Sequence, residues 1–503
     1  MKGFKEGFKV EVRNFTPSLV SQNHPSAVGN CSVVDDLINK ELELKRVAGP
    51  FDSPPLYNFH VSPLGLVPKS DGSYRLIHDL SAPAGASVNE AIPREFATVE
   101  YETLDHALDL VLRYGKDSLI AKTDFKEAYR VVPIHPDSVH LLGFKWRGKF
   151  YYDRCLPFGI TSAPLLYETI STAFQWILTQ KFGVPSVSHI LDDYMFFGPA
   201  HDDTCLVALT TFQHVANVVG LPVKTSKTVR PSTNVILHGI LVDTTKMEIR
   251  LPDDKLGKAI TSVQALLSKE KVKLKELQSA IGFLAFVCKV VMPGRTFLRR
   301  LYDLTRGVSK PHHYVRINSA AKLDLKVWKH FLNHYNGVSI LARSHWIASP
   351  KLHLQTDAAG ACRYAAVLGS RWVCGAWPEE WRDVPIALKE LYPICLAMEL
   401  WGEGLANKCI QFWCDNEAVC FVINKRSSRD LCMMQLLRRM VVTTMSNNIM
   451  FRCRHVRSAD NGLADALSRF QFERARELGP ELDDATTPVP THLLPGNILQ
   501  ATF

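Results

Sequence analysis

The chain has 503 residues, 46% of them hydrophobic and 22% charged, the balance of a globular protein and not of a disordered one. That length exceeds what one core supports, so about three domains are expected. The formal net charge of +9 favours a polyanionic partner, only mildly at this size. The opening stretch MKGFKEGFKVEV lacks the apolar run of a secretion signal, and the longest apolar run, AIGFLAFVCKVVM, is short and carries Lys289, so no membrane span is expected. The 12 cysteines are scattered without CxxC pairs. They read as reduced thiols of an intracellular protein, cytoplasmic or nuclear, and not as a zinc site or a disulfide framework.

Residues 1–50 are weakly patterned and are expected to form an N-terminal extension. From 51 to 243, strand-like and helical runs alternate. PKSDGSYRL is a polar hairpin with Lys69 and Arg75 on its arms and Asp71-Gly72 as its turn. DSLIAKTDFKEAYRVVPI carries an apolar strand straight into Asp124. PLLYETISTAFQWIL spaces Leu166, Ile170, Phe174 and Ile177 along one helical face. SHILDDYMFFG then sets two acids, Asp192 and Asp193, between apolar runs. Other Asp-Asp pairs, such as Asp35-Asp36 and Asp202-Asp203, lie in polar surroundings. The apolar flanks predict a β-hairpin whose turn carries the acids, and strand alternation points the two to opposite faces, with Asp192 turned to a site. Alone, such a hairpin is equally an ordinary structural turn. With Asp124 beside it, the acids form a cluster that tolerates its own repulsion only around cations. Oxygen ligands of this kind suit Mg²⁺, and two such ions about 4 Å apart support phosphoryl transfer.

LVPKSDGSYRLIHDLS, AKTDFKEAYRVVPIHP, CLPFGITSAP and ILDDYMFFG follow one another in the order and spacing of reverse transcriptases. The resemblance runs from about residue 60 to 300, and RLIHDLSAPAGASVNEAI, HLLGFKWRGKFYYDRCLPFG and the ILDD form resemble the DIRS type, retrotransposons that integrate through a tyrosine recombinase. It implies an α+β fold, a right-hand polymerase with fingers and palm at 51–243 and a thumb at 244–310. It also implies that Asp124, Asp192 and Asp193 are the catalytic, metal-binding aspartates. Lys69 and Arg75 would grip the triphosphate of a deoxynucleotide. Tyr129 would be the aromatic gate against a 2′-hydroxyl, Phe158 and Gly159 would lie near base and template, and Lys227 would also face the nucleotide. His238 and Gly239 resemble the centre of a primer grip. The family's retroviral members carry Tyr two places before the first hairpin aspartate, where this chain has Ile190.

KVKLKELQSAIGFLAFVCKVVMPGRTFLRRLYDLTRG predicts amphipathic helices with Leu277, Ile281, Leu284 and Phe286 inward. Lys289, Arg295, Arg299, Arg300, Arg306 and Lys310 face few acids locally, and predict a phosphate track along the primer–template duplex, with a solvated face as the plain alternative. Residues 311–348 read as a short connection, and Ser349-Pro350 as a junction.

A second acidic set follows in 349–470. KLHLQTDAAG puts Asp357 on a strand, and IALKELYPICLAMELWG starts a helix near Glu390, because Pro393 is tolerated only in a first turn. CIQFWCDNEAVCFVI ends a strand at Asp415, and RHVRSADNGLADALSR puts Asp465 at a helix start. TDAAG, KELYP, CDNEAV and ADALSR resemble, in that order, the α/β RNase H-like domain found behind reverse transcriptases. The likeness implies that Asp357, Glu390, Asp415 and Asp465 hold two Mg²⁺ and cleave RNA in an RNA/DNA hybrid. His455 stands near a mobile product-release histidine of related enzymes, or is a plain surface histidine. The proline-rich tail, 471–503, is expected to be loose.

Together these resemblances imply an enzyme that extends a DNA primer on an RNA or DNA template with dNTPs and degrades the used RNA, with Mg²⁺, or Mn²⁺, at both sites. Recombinase and capsid-like proteins of the element would lie on separate chains. Two rivals are an inactive, domesticated relative serving as an RNA-binding scaffold, and an RNA-copying polymerase of the same architecture.

Overall fold

The computed structural model describes residues 2–19, 21–69, 72–334, 338–339, 346–359, 363–447, 449–455 and 461–499. The chain divides into two units, Met1–Val235 and Ile236–Phe503. The division falls inside the stretch expected to hold fingers and palm, and the expected junction at Ser349-Pro350 lies within the second unit.

In chain order the first unit holds helices α1 (Lys2–Glu6), α2 (Pro25–Val28) and α3 (Cys31–Glu43), strands β1 (Val47–Phe51), β2 (Leu64–Pro68) and β3 (Tyr74–His78), and helices α4 (Val88–Ala91) and α5 (Leu104–Tyr114). Strands β4 (Leu119–Asp124), β5 (Gly143–Trp146) and β6 (Lys149–Asp153) follow, then helix α6 (Ala163–Phe182), strands β7 (Val187–Ile190) and β8 (Asp193–Gly198), helix α7 (Thr204–Val218) and strand β9 (Val229–Ser232).

Antiparallel strands in the order β7-β8-β4-β9 make the sheet that carries the acids. Phe125, Phe174, Tyr194 and Phe212 interlock under it, with ring centroids 4.8–5.8 Å apart. On α6, Ile170 and Phe174 are buried and Leu166 and Ile177 partly so, as the spacing predicts. A separate sheet, β1-β6-β5, packs against α3 through Val34, Ile38, Val47, Phe144 and Trp146. The expected N-terminal extension is therefore part of a core: Val34 and Ile38, four apart, form a short stripe masked in the sequence by the surrounding polar residues.

The second unit opens within strand β10 (Asn234–Leu237), which joins the order β10-β11-β12-β15 with β11 (Ile240–Asp243), β12 (Glu248–Arg250) and β15 (Val338–Ser339). Between them run α8 (Asp253–Ser268), β13 (Lys271–Lys273), α9 (Leu274–Val287), α10 (Arg299–Leu304), β14 (Tyr314–Arg316) and α11 (Ser319–His334). Leu277, Ile281 and Leu284 are buried as expected, whereas Phe286 is only partly covered and carries Lys255 and Lys289 over its ring, 4.7 and 5.6 Å from the centroid. The stretch expected as a short connection contains helix α11, which buries Leu325, Trp328 and Leu332. Their spacing of three and four is helical, and the density of His and Lys around them concealed it. A Cβ on Gly294 would stand 2.4 Å from Trp328, so this close approach requires glycine.

After β16 (Ile347–Ala348), strands β17 (Leu354–Ala359), β18 (Arg363–Leu368) and β19 (Arg371–Ala376) form an antiparallel meander. Helix α12 (Ile386–Trp401), strand β20 (Cys409–Cys414), helices α13 (Glu417–Lys425) and α14 (Leu431–Ser446), strand β21 (Met450–His455) and helices α15 (Gly462–Ser468), α16 (Phe472–Leu478) and α17 (Pro495–Ile498) complete the unit. β16, β20 and β21 pair in parallel. The tail expected to be loose is packed: Ala475, Leu482, Leu493 and Ile498 are buried, and the carbonyls of Asp483 and Leu493 accept from Trp372 Nε1 at 2.8 Å and Tyr392 Oη at 2.9 Å. No described helix is long and apolar enough to cross a membrane.

Candidate active sites

The acidic hairpin forms, but its turn carries only Asp192, and Asp193 opens β8. Ile190 and Asp193 pair across it, which leaves Leu191-Asp192 as a two-residue turn. Leu191 takes φ 53°, a left-handed backbone that costs an L-residue about 1–2 kcal/mol. Both its peptide groups are pinned by helix α6: Glu168 Oε2 accepts from the Leu191 N–H at 3.0 Å, and Ser171 Oγ donates to its carbonyl at 2.7 Å. His189 approaches the other oxygen of Glu168 at 3.2 Å. The Asp192 carbonyl, in turn, accepts from the Phe125 N–H at 3.2 Å, tying the turn to the residue after Asp124.

Asp124 and Asp193 lie directly opposite in the β4–β8 ladder. Asp193 turns to Lys122 at 2.8 Å, while buried Asp124 pairs with Lys227 and shares a hydrogen bond with Asp192. Burial first, then that bond and the charge of Asp124, push the Asp192 carboxyl up to about 7. Two carboxyls on one hydrogen bond need a proton or a cation between them, and the ammonium of Lys227 already marks a place for positive charge. The donor set, hard oxygens on two adjoining strands, fits Mg²⁺.

A cavity of about 760 Å³ opens on Asp124 and Asp192, and Lys69, Arg75, Tyr129, Phe158 and Lys227 line it too. The β2–β3 hairpin holds Lys69 and Arg75, both exposed; Asp71 of its expected turn lies outside the described residues. The Arg75 guanidinium stands 4.7 Å over the Phe158 ring, and Tyr129 packs on Phe158 at 5.4 Å and on Tyr167 at 5.7 Å between centroids. Burial pushes the Tyr129 hydroxyl up to about 12, so it stays protonated. Gly159 has φ 127°, and a Cβ there would lie 2.0 Å from the His78 carbonyl oxygen, so only glycine closes this wall.

The second unit also gathers its acids. Burial, then the charges of Asp357 and Asp415, push Glu390 up to about 9. Asp357 is raised by burial and by Asp465 and Asp415, against the hydroxyl of Ser468, which donates to it at 2.5 Å. Asp465 accepts from Arg469 Nε at 2.7 Å. Glu390, Cys414 and Asp415 place ligand atoms within 4.8 Å of one another. Exposed His455 reaches the Asp415 carbonyl at 3.1 Å. One expectation fails: α12 begins at Ile386, so Glu390 sits in its second turn and Pro393 inside the helix. An interior proline removes one helical hydrogen bond, a cost of roughly 3 kcal/mol that burial of nearly the whole helix offsets.

The remaining expected residues lie in the second unit. His238 and Gly239, φ 47° and 77°, form the turn between β10 and β11, where Lys255 Nζ donates to the Gly239 carbonyl at 2.9 Å. The expected phosphate track is divided: Lys289, Arg295 and Lys310 are exposed, but Arg299 and Arg306 bind Asp303 at 2.8 and 3.3 Å, and Arg300 binds buried Asp324 at 2.9 Å. Sequence reading missed Asp303, which helical turns bring to Arg299 and Arg306, and Asp324, which lies 24 residues from Arg300 on another helix and meets it only through tertiary packing. It also gave no role to Lys122, Glu168 and Ser468, although all three stand inside the quoted stretches.

The reverse transcriptase (RNA-dependent DNA polymerase) family model matches residues 67–248. The Gag-Pro-Pol polyprotein of human T-cell leukemia virus 3 (strain Pyl43) is 23% identical over 78% of the chain and 26% of its own length. The transposon Tf2-3 polyprotein of Schizosaccharomyces pombe is 22% identical over 70% of the chain and 24% of its own length. The chain thus spans about a quarter of these curated relatives. Among solved structures, a foamy viral protease–reverse transcriptase with double-stranded DNA has a TM-score of 0.53 at 16% identity, covering 90% of this chain and 87% of that one. A second such structure, also with double-stranded DNA, has a TM-score of 0.52 at 17% identity, over 88% and 72%. The likeness is one of fold, a mixed α/β polymerase. Residues 67–248 are thus similar to the reverse transcriptase domain of retroviral and retrotransposon polyproteins.

Proposed function

We propose that the chain is a retroelement reverse transcriptase with a C-terminal RNase H, arranged as fingers, palm, thumb and RNase H, and of the DIRS type by its ILDD and RLIHDLSAPAG motifs. The observation that carries this reading is the carboxylate pair Asp124 and Asp192, hydrogen-bonded at the edge of a cavity lined by cations and aromatic rings.

In this reading Asp124, Asp192 and Asp193 hold Mg²⁺, or Mn²⁺. The bound ions supply charge stabilisation to the attacking 3′-oxygen and the leaving pyrophosphate. Lys69 and Arg75 bind and orient the triphosphate, Arg by a planar fork. Tyr129 closes the space beside the sugar, so that a deoxynucleotide fits and a 2′-hydroxyl does not. Phe158 and Gly159 form the wall under the base, Gly159 because its backbone runs against His78. Lys227 balances the charge of Asp124 and faces the incoming phosphates. In the second unit Asp357, Glu390, Asp415 and Asp465 hold the ions for attack by water on the RNA strand of a hybrid, and His455 stands at the rim. The exposed cations of the thumb contact phosphates and give sequence-independent, salt-sensitive affinity for template and primer. His238 and Gly239 are assigned to the primer side.

A single assay tests the proposal: extension of a DNA primer on labelled RNA with Mg²⁺ and dNTPs, following both product and template. Asp192→Ala is expected to abolish extension alone, and Asp415→Ala template cleavage alone. A variant that kept its activity would refute the corresponding assignment, and a wild type without either activity would favour the scaffold reading.

A further inference from the structure

One wall of the nucleotide cavity comes from a segment outside every polymerase motif. Glu41, at the end of α3, accepts from Arg130 Nε at 2.9 Å and Nη2 at 2.7 Å through one oxygen. Arg130 is buried, and its Nη1 donates to Asp153 at 2.7 Å and to the Cys155 carbonyl at 3.2 Å. Three residues earlier, Glu127 takes φ 53° and accepts from Arg46 at 2.6 Å and Lys40 at 3.1 Å. Ala128-Tyr129 is therefore slung between two ion-pair anchors whose outer members, Lys40, Glu41 and Arg46, all lie within seven residues of one another. Lys40, Glu41, Glu127, Tyr129 and Arg130 line the same cavity as Asp124 and Asp192.

We infer that Glu41 and Arg46 are positioning residues for the sugar-selecting ring of Tyr129, so that nucleotide selectivity is set in part by the N-terminal segment. The inference rests on the polymerase reading above. The physical ground is the left-handed backbone at Glu127. Such a conformation persists in a non-glycine residue where its surroundings hold it, and here Arg46 and Lys40 do so. Arg130 fixes the other end, because a buried guanidinium with three kinds of acceptor has one orientation. With either anchor loosened, the ring is free to shift away from the sugar and admit a 2′-hydroxyl without touching the metal-binding aspartates.

The test is single-nucleotide incorporation on an RNA template and DNA primer, with a dNTP and the matching rNTP, in Glu41→Gln and Arg46→Gln. The amide of the Glu41→Gln variant would keep an acceptor for Arg130 while removing the charge. Both variants are expected to lose about tenfold in dNTP-over-rNTP discrimination, through KM, with kcat for the dNTP within about twofold of wild type. Arg46→Lys is expected to recover most of the discrimination. If Glu41→Gln fails to fold, Arg46→Gln, which leaves the Glu41–Arg130 pair in place, decides. Unchanged discrimination in a folded variant, or an equal loss of kcat with both nucleotides, overturns the inference and leaves the polymerase reading standing. A wild type that extends no primer removes both.

Discussion

In the first unit the acids come from two neighbouring strands and the turn at the end of one, so the ladder that opposes Asp124 to Asp193 fixes their spacing before other side chains pack. In the second unit four acids come from a strand, the second turn of a helix, the residue after another strand and a short helix, and only tertiary packing gathers them. Local backbone geometry therefore specifies the first group, and the packing of a whole unit specifies the second. The burdens differ as well. The first group stores its strain in Leu191 and releases it onto α6, whereas the second keeps Glu390 buried among like charges.

The sharpest way to break this comparison is to loosen one support in each place. Glu168→Ala deprives the Leu191 N–H of its acceptor, and primer extension is expected to fall by roughly 10–100-fold, the scale seen when a residue that orients a metal ligand is lost. Ser468→Ala removes one hydroxyl from Asp357 but leaves three other elements in place, and template cleavage is expected to fall only several-fold. Equal losses in the two assays would show that the strained turn leans on its one helix no more than the second group leans on a single hydroxyl.

What the sequence made legible follows the same division. SHILDDYMFFG could be read as a hairpin from its own residues, because apolar flanks around a polar turn are a local property, although the turn is Leu191-Asp192 and Asp193 opens the second strand. The second group was legible only through the order of four motifs, and Pro393 misplaced the start of its helix, since intrinsic preference opposed what the surrounding burial imposed. The N-terminal segment and the tail were misread for a related reason. Their apolar residues, Val34 and Ile38 or Leu482 and Leu493, are too few to make a pattern and are buried only because partners distant in sequence cover them.

A subtler separation is expected with pH. Carboxyls raised in the folded state bind protons more tightly there than when unfolded, so the metal-free protein loses stability as pH rises through the interval between the two values. For Asp192 that interval runs from 3.8 to about 7, and for Glu390 from 4.5 to about 9. Thermal melts without divalent ions should show a decline that Asp192→Asn reduces below pH 7 and Glu390→Gln reduces up to pH 9. Added Mg²⁺ should raise the melting temperature more at about pH 8 than at about pH 5, because binding displaces those protons. A flat profile would remove the argument that the acids await a cation.

The smallest effect concerns the basic stretch after α9. Lys289→Ala and Arg295→Ala should each lower the slope of log affinity against log salt for an RNA/DNA hybrid by about 1, while Arg299→Ala, bound to Asp303, should leave it nearly unchanged. Equal slopes for all three variants would show that Asp303 releases its partner to the duplex.

The pairing of β1 with β6 has a practical consequence for anyone preparing the polymerase portion separately. A fragment trimmed to the limits of the matched family, 67–248, would lose β1, α3 and most of β2. It would leave β6 as a bare sheet edge beside an uncovered apolar face at Phe144 and Trp146, an invitation to self-association and precipitation.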